Sequence, residues 1–214
     1  YIGSITQKNI SSSKILFFPQ WAEPLFKPVK INHDVQKILP NGFTIMFAGN
    51  IGHAQDFETI IKAANITKNE KRFNWVILGS GRMKDYVESE INRLKIKNFH
   101  LLGRFPLSDM PKFFALADVM LISLKKSPIF SLTIPAKIQS YLACGKPILS
   151  MLEGEGAKII EESSAGVNCK PGDYKSLARN AIKFKNEKTK LLVLGNNAKS
   201  CLLYTSPSPR DKRQ

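Results

Sequence analysis

The sequence predicts an α/β fold built on a Rossmann-like, doubly wound parallel sheet of about six strands. Short apolar runs alternate with segments whose apolar residues recur at helical spacing. Strands that are apolar on both faces are typical of a parallel sheet covered by helices on both sides. Glycines also follow the first three runs, where such a sheet binds ligands beyond the carboxyl ends of its strands.

Each strand is predicted from a short apolar run, and each helix from apolar residues three or four positions apart. The predicted strands, in order, are Phe43–Ala48, Trp75–Leu78, Phe99–Leu102, Asp118–Ile122, Pro147–Ser150 and Gly166–Cys169. The first helix follows Gly52, and later ones are marked by residues such as Tyr86, Val87 and Ile91, then Met110, Phe113 and Phe114. The remaining helices run from Pro135 to about Gly145, from Gly154 to Glu162, and onward from Asp173, a suitable helix cap.

The composition is that of a globular protein with a basic surface. The chain has 214 residues, 43% hydrophobic, and a net charge of +15. No apolar run approaches the roughly 18 residues of a membrane-spanning helix, and three cysteines without paired spacing disfavour a disulfide framework. The charge favours an anionic partner, but its spread along the chain does not choose between nucleic acid, a membrane surface and a phosphorylated small molecule.

The two ends differ from the region between them. Residues 1–42 are interpreted as a short strand at Lys14–Phe18 and a proline-punctuated linker over 19–42 that disfavours helix and sheet. Residues 43–200 form the Rossmann-like domain. Residues 201–214 lack periodicity and resemble a translated reading frame of a sequencing adapter, so we predict that they are non-native.

The loops after the first three strands are candidate anion sites. In Gly49-Asn50-Ile51-Gly52, glycines allow a close backbone approach to a diphosphate, and a following helix N-terminus offers N–H groups. An ordinary strand-to-helix turn is the alternative, and Ile51 departs from the GxGxxG pattern of nicotinamide dinucleotide sites. In the second loop Arg82 is a candidate phosphate ligand or a solvated arginine. The third loop, Gly103-Arg104-Phe105, could place a base against an apolar side chain.

Two later segments add candidate side chains. On the predicted helix after Pro135, Lys137 and Ser140 share a face. A lysine in a first turn is unfavourable for the helix dipole, and a bound phosphate would offset that cost, although a solvated lysine is the alternative. The turn Glu153-Gly154-Glu155-Gly156 could contact sugar hydroxyls through N–H groups and a carboxylate, or its acidic residues could simply favour the helix N-terminus.

The order of these segments resembles the C-terminal, donor-binding half of a GT-B glycosyltransferase of the family-4 type. The resemblance covers roughly residues 15–200, and PAKIQSYLACGKPI is its most specific part. Within the family, the pattern is similar to that of bacterial transferases that resemble the L-fucosamine transferase of O-antigen assembly. It implies that residues 1–42 end a missing N-terminal, acceptor-binding domain and link it to the donor domain.

The resemblance implies which residues bind the donor. Gly49, Asn50 and Gly52 match the loop near the diphosphate, residues 103–105 match the loop near the base, and residues 153–156 match the turn near the sugar. Many members hold the ribose with a glutamate where this chain has Ser140, and have Arg and Lys where it has residues 53–56. Lys137 and Arg82 are therefore the candidate cations for the diphosphate, with Lys137 as leaving-group stabiliser. The catalytic base would lie in the missing domain.

The activity that the resemblance implies is transfer of a sugar from a UDP-linked donor, with N-acetyl-L-fucosamine as the candidate sugar. The acceptor would be a lipid-linked glycan of bacterial surface polysaccharide. No cofactor or metal is expected, since the sequence has no DxD motif. The implied location is cytoplasmic and peripheral to the anionic inner face of the plasma membrane, without a nucleic-acid partner.

Two other function classes stay open. A nucleotide-sugar 2-epimerase has the same architecture, but it needs acid and base residues around the sugar, for which the sequence offers no convincing carboxylate–histidine set. A non-enzymatic binder of nucleic acid or membranes would rest on the charge alone and predicts a basic stripe or interleaved aromatic residues. Neither is clear in the sequence.

Overall fold

The structure is a computed structural model that describes residues 11, 14 and 22–205. Its centre is a sheet of six parallel strands in the order β3-β2-β1-β4-β5-β6. The strands are β1 Phe43–Ala48, β2 Phe73–Leu78, β3 Phe99–Gly103, β4 Val119–Ser123, β5 Ile148–Met151 and β6 Gly166–Cys169. This sheet confirms the predicted doubly wound fold and all six predicted strands, with shifts of one or two residues at their ends.

Helices connect and cover the strands. They are α1 His33–Ile38, α2 Phe57–Ile66, α3 Lys84–Arg93, α4 Met110–Leu116, α5 Pro128–Ser131, α6 Ala136–Ala143, α7 Glu155–Glu162, α8 Tyr174–Asn186 and α9 Lys188–Thr205. The side chain of Asp173 accepts a hydrogen bond from the Ser176 N–H, which confirms the predicted cap of α8. In residues 22–205, no helix is long and apolar enough to cross a membrane.

The core has one layer on each face of the sheet. Ile45 and Phe47 of β1 pack on one face with α2, α3 and α8, whereas Met46 and Ala48 pack on the other with α4, α6 and α7. This alternation is that of a strand buried on both faces. It explains why the central strands contain almost no polar residues.

The expectation that residues 19–42 contain no helix is wrong. Within residues 19–42, α1 forms a helix whose cap is Asn32, and the Asn32 side chain accepts from the Asp34 and Val35 N–H groups. The prolines at 28 and 40 flank this helix rather than interrupt it, and so they do not prevent it. The predicted strand at residues 14–18 lies outside the described residues except for Lys14. At the other end, α9 continues to Thr205, across the predicted boundary at residue 201.

The strand order reverses at β1 and β4, and the two strands separate towards their carboxyl ends. The chain moves outward from β1 to β2 and β3, and then returns to place β4 on the other side of β1. β1 stays paired with β2 as far as Ala48, but its register with β4 ends at Met46 and Met120. Ligands of open α/β sheets bind in the crevice at such a reversal. This gap is therefore the candidate ligand site.

Candidate functional site

A tyrosine from α6 lies in the gap between β1 and β4. The hydroxyl of Tyr141 lies 3.3 Å from both the backbone nitrogen and the carbonyl oxygen of Ala48, accepting from one and donating to the other. Tyr141 is 1% exposed, and its ring packs edge-on against Phe114 with centroids 5.2 Å apart. The bond from Tyr141 to the end of β1 was not predicted from the sequence.

Lys137 enters the same gap one helical turn earlier. Its Nζ lies 3.7 Å from the centroid of the Phe47 ring, a cation–π distance. A Cβ placed on Gly49 would lie 2.6 Å from both Cε and Nζ of Lys137. Gly49 also has φ +140, which side chains rarely adopt. The backbone conformation therefore favours glycine here, and a side chain at this position would displace the Lys137 amine.

The amine of Lys137 has no polar partner in the part of the chain that the structure describes. It makes no hydrogen bond or ion pair with residues 22–205, although the side chain is half-buried. Burial disfavours the charged form and lowers the pKa of Lys137 from 10.5 to about 7. A cation held in this way, at the end of a glycine loop, is suited to receive an anion.

Lys146, unlike Lys137, is a partly buried lysine with polar partners. Its Nζ donates to the carbonyls of Ala115 and Ala117 at 2.8 and 2.9 Å, and burial lowers its pKa while Asp118 opposes that change. It lines a cavity of about 670 Å³ at the amino-terminal edge of the sheet. That cavity lies at the end opposite the glycine loops, and Lys146 already has partners there, so it does not compete with Lys137 as the anion site.

Backbone hydrogen bonds join the loops after β1, β2 and β3. The Gly79 N–H donates to the Gly103 carbonyl at 2.6 Å, and the Ile51 N–H donates to the Ser80 carbonyl at 2.9 Å. A Cβ on Gly79 would collide with the carbonyl oxygen of Gly49. The structure therefore brings the three predicted loops together, with Lys137 beside the first of them.

A short turn links Gly52 to the helix that follows the glycine loop. A 3-10 turn at His53–Gln55 and a left-handed Asp56, with φ 51, separate Gly52 from α2, which begins at Phe57. The Gln55 Oε1 accepts from the Gly52 N–H at 3.2 Å. A helix therefore follows the glycine loop as predicted, but it begins at Phe57, after the Gln55 side chain has bound the Gly52 N–H and the 3-10 turn has redirected the chain.

Asn50 contributes to packing within the loops. A Cβ on Gly52 or Gly81 would lie 2.5 Å from an amide atom of the Asn50 side chain. Asn50 therefore fills the space between two glycines of neighbouring loops. Its predicted contact with a donor stays a prediction.

The two candidate arginines face solvent. Arg82 and Arg104 are exposed and have no hydrogen-bond or ion-pair partner among residues 22–205. Phe105 is half-buried, and its ring lies 4.4 Å from that of Phe113. Nothing occupies the 4 Å around a Cβ placed on Gly103, so the surface above this loop is open. The loop thus has room for a base, although its role stays a prediction.

The predicted sugar loop packs against the segment that leads to Lys137. A Cβ on Gly154 would collide with the Ser131 carbonyl, and one on Gly156 would lie 3.2 Å from Pro135 Cδ. Glu153 lies 3.9 Å from Lys126 Nζ, and Glu155 pairs with Lys158 at 2.8 Å. Both carboxylates are thus engaged at the surface.

Ser140 is accessible to a ligand, and only one long hydrogen bond holds its hydroxyl in place. Its hydroxyl donates only to the Ala136 carbonyl, at 3.5 Å, and the side chain is partly exposed. Its predicted contact with a ribose stays a prediction.

Two residues at the strand ends were missed by sequence reasoning. Asn168 of β6 accepts from Ser150 Oγ at 2.7 Å and bonds both backbone polar groups of Leu152 at 3.0 Å, which holds the start of the 153–156 turn. Ser123, at the end of β4, is 2% exposed, and its hydroxyl has no hydrogen-bond partner among the described residues. Continuing the β1–β4 register places Ser123 opposite Gly49. A polar residue ending an apolar strand was the available signal.

The described part of the chain contains no cluster of three or more His, Cys, Asp or Glu side chains that could hold a metal ion. The expectation that no metal or cofactor takes part stays a prediction.

One family model and two curated glycosyltransferases match the chain. The family described as glycosyl transferases group 1 matches residues 29–200. Among curated proteins, the chain is 35% identical over 135 residues to the probable glycosyltransferase WbjE of Pseudomonas aeruginosa, covering 62% of this chain and 33% of WbjE. The chain spans about a third of the length of the curated relatives it matches.

Solved structures show the same fold at low identity. WaaG, a glycosyltransferase involved in lipopolysaccharide biosynthesis, matches with a TM-score of 0.77 at 15% identity over 95% of this chain and 56% of WaaG. HepE of Anabaena, solved in complex with UDP and glucose, matches with a TM-score of 0.75 at 17% identity over the same shares of the two chains.

Proposed function

The chain belongs to the glycosyl transferases group 1 family, and we propose that it binds the UDP part of a nucleotide-sugar donor at the gap between β1 and β4. Sugar transfer to an acceptor is the reaction of the complete protein. In that protein, a second domain that precedes residue 43 brings the acceptor and the catalytic base. The length of the curated relatives, about three times that of the matched region, supports this division.

The observation that carries the proposal is the position of Lys137. A half-buried amine without a polar partner in residues 22–205 lies beside Gly49, at the reversal of the strand order. A bound diphosphate would supply the missing counter-charge and favour the ammonium form. As the sugar leaves, negative charge grows on the diphosphate, and a fixed cation there stabilises the transition state more than the ground state.

The remaining site residues have proposed roles around this centre. The backbone of Gly49 and Gly52 approaches the diphosphate, and Arg82 reaches it from the second loop. Residues 103–105 hold the base in the open space above Gly103. Ser140 faces the ribose, and residues 153–156 contact the sugar.

The relatives support a proposal for the substrate and the setting. HepE is solved with UDP, which supports UDP as the nucleotide. WbjE is a probable glycosyltransferase, and WaaG is involved in lipopolysaccharide biosynthesis, which supports a lipid-linked or glycan acceptor of surface polysaccharide. N-acetyl-L-fucosamine is the proposed sugar. The proposed location is the cytoplasm. The net charge of +15 supports a peripheral contact with the anionic inner face of the membrane.

Calorimetric titration of the 214-residue chain with UDP, GDP and ADP tests the proposal. We expect selective binding of UDP. Lys137→Ala should raise the dissociation constant for UDP roughly ten- to a hundred-fold, the loss of affinity typical of a charge-assisted contact. Lys190→Ala is the control, because Lys190 is a surface residue of α9 that pairs with Glu187. A folded chain that binds no nucleotide would refute the proposal.

The two alternatives predict different results. A 2-epimerase would convert the free nucleotide sugar without an acceptor, so a coupled assay for the epimer separates it from a transferase. A nucleic-acid binder would bind random duplex DNA with a steep salt dependence. Several surface lysines pair with carboxylates, as Lys125 does with Glu58 and Lys185 with Glu70, which lowers the charge that they offer to a nucleic acid.

A further inference from the structure

The carboxyl end of β1 presents two backbone groups that β4 does not bind. The Thr44 carbonyl accepts a hydrogen bond from the Asp118 N–H, just before β4. Because backbone polar groups alternate between the two sides of a strand, those of Ala48 point towards β4 as those of Thr44 do. The register between the strands has ended by then, at Met46 and Met120. A phenol from α6 takes the place of β4, with the Tyr141 hydroxyl 3.3 Å from both polar atoms of Ala48.

A tyrosine hydroxyl suits this position because it both donates and accepts. One side chain can therefore satisfy the N–H and the carbonyl of the same residue. Burial raises the pKa of the Tyr141 hydroxyl, so it stays protonated and keeps its donor. Without it, two buried backbone groups would lose their partner.

The same helix reaches the strand end a second time through Lys137. Residues four apart lie on one face of a helix, so Lys137 and Tyr141 point to the same side of α6. Their contacts on β1 are consecutive: Lys137 meets Phe47 and Gly49, and Tyr141 bonds Ala48 between them. The hydroxyl thus fixes the part of α6 from which the amine extends.

We propose that Tyr141 is a positioning residue of the anion site: its hydroxyl keeps β1 and β4 apart at their carboxyl ends and holds the Lys137 amine beside Gly49. This inference rests on the proposed function for the identity of the anion. The geometry of Lys137 in the nucleotide-free chain does not depend on that identity.

Tyr141→Phe in the 214-residue chain tests the proposal by removing one oxygen. We expect the dissociation constant for UDP to rise roughly three- to tenfold, the loss of affinity typical of a hydrogen bond. In the nucleotide-free variant, NMR of the Lys137 side chain should show its titration midpoint moving up towards that of an ordinary lysine, because the amine leaves its buried place. The matched control is Tyr174→Phe on α8, which removes the same atom but keeps the ring that Lys62 approaches at 6.0 Å.

The role is overturned if Tyr141→Phe folds with the wild-type affinity for UDP and the wild-type midpoint for Lys137. A lower Tm with both readouts unchanged overturns it too, since that result describes a purely structural residue. If the variant does not fold, hydrogen exchange of the wild-type Ala48 amide decides: strong protection supports the bond, and rapid exchange refutes it. A double variant with Lys137→Met should weaken UDP binding no further than Lys137→Met alone.

Failure of the proposed function gives a different result. If the wild-type chain binds no UDP, the donor site is refuted. The Lys137 midpoint in wild type and Tyr141→Phe then still tests whether Tyr141 positions the amine.

Discussion

The Nζ atom of Lys137 lies 3.7 Å above the Phe47 ring, and no carboxylate within residues 22–205 pairs with it. A cation–π contact of about 0.5–2 kcal/mol only partly offsets the cost of burying an ammonium group. The fold therefore keeps a cation that is costly in the absence of a ligand. Residues that lower stability and face a ligand crevice are typical of functional sites.

Replacing Lys137 with Met should stabilise the nucleotide-free chain while weakening UDP binding. An apolar side chain of similar length keeps the contact with Phe47 and removes the buried charge, and we expect a gain of about 1 kcal/mol, or about 2–4 °C in Tm. Thermal unfolding measures it.

Lys146→Met is the matched control for that change. Its amine donates to the carbonyls of Ala115 and Ala117, so the same substitution should destabilise the chain by about 1–3 kcal/mol. If Lys137→Met is destabilising to the same degree, Lys137 is a structural residue and the cost argued above does not exist.

The stability of the wild-type chain should depend on pH through the ionisation of Lys137. Its folded pKa, about 7, lies below the value of 10.5 in the unfolded chain, so the unfolded state binds more protons between these values. The contribution of Lys137 to the free energy of unfolding therefore rises with pH from about 7 to 10.5. The difference in Tm between Lys137→Met and wild type should be larger at pH 6 than at pH 10, and an equal difference would contradict the lowered pKa.

UDP affinity should fall as the pH rises through about 7, because Lys137 then loses its proton. A terminal phosphate ionises at about pH 6 and acts in the opposite sense. Calorimetry from pH 6 to 9 on wild type and Lys137→Met separates the two effects, since the variant retains only that of the phosphate. Parallel pH profiles for the two proteins would show that Lys137 does not meet the diphosphate.

Gly49→Ala should abolish measurable tight binding of UDP. The new methyl group would lie 2.6 Å from the Lys137 amine, and the φ of +140 adds a strain of about 1–3 kcal/mol. Gly172→Ala is the control, because Gly172 has φ +82 with nothing within 4 Å of its Cβ. It should lower Tm while leaving the dissociation constant unchanged; equal effects on binding would mean that strain alone, and not the contact with Lys137, is responsible.

Ser140→Glu should strengthen UDP binding. A carboxylate at this position accepts hydrogen bonds from ribose hydroxyls, as the resemblance to many family members implies, and we expect a gain of roughly three- to tenfold. The gain should vanish for a nucleotide without ribose hydroxyls. An equal gain for both nucleotides would place the new carboxylate elsewhere, and Ser140→Ala serves as the control for loss of the hydroxyl.

The strands, the main helices and the loop glycines could be predicted because their signals are local. Apolar runs such as Phe43–Ala48 are buried on both faces, and the pattern with Pro135 and Gly145 at its ends marked α6 within a residue or two. The sequence also singled out Lys137 as a candidate cation. Where the prediction failed, at α1, the Asn32 side chain had bound two nearby backbone N–H groups.

Only the tertiary structure decided what surrounds Lys137. Its helix and β1 are about ninety residues apart in the chain, as the separation of Tyr141 from Ala48 shows, and they meet because the strand order places β4 beside β1. The gap that Tyr141 fills exists because the register of those two strands ends early. Local patterns carry no information about such a distance, since it is set by how the sheet twists and how α6 packs on it. The sequence thus determined which residues are candidates for an anion site, and the packing of α6 against β1 determined that Lys137, Gly49 and Tyr141 lie together at the proposed site.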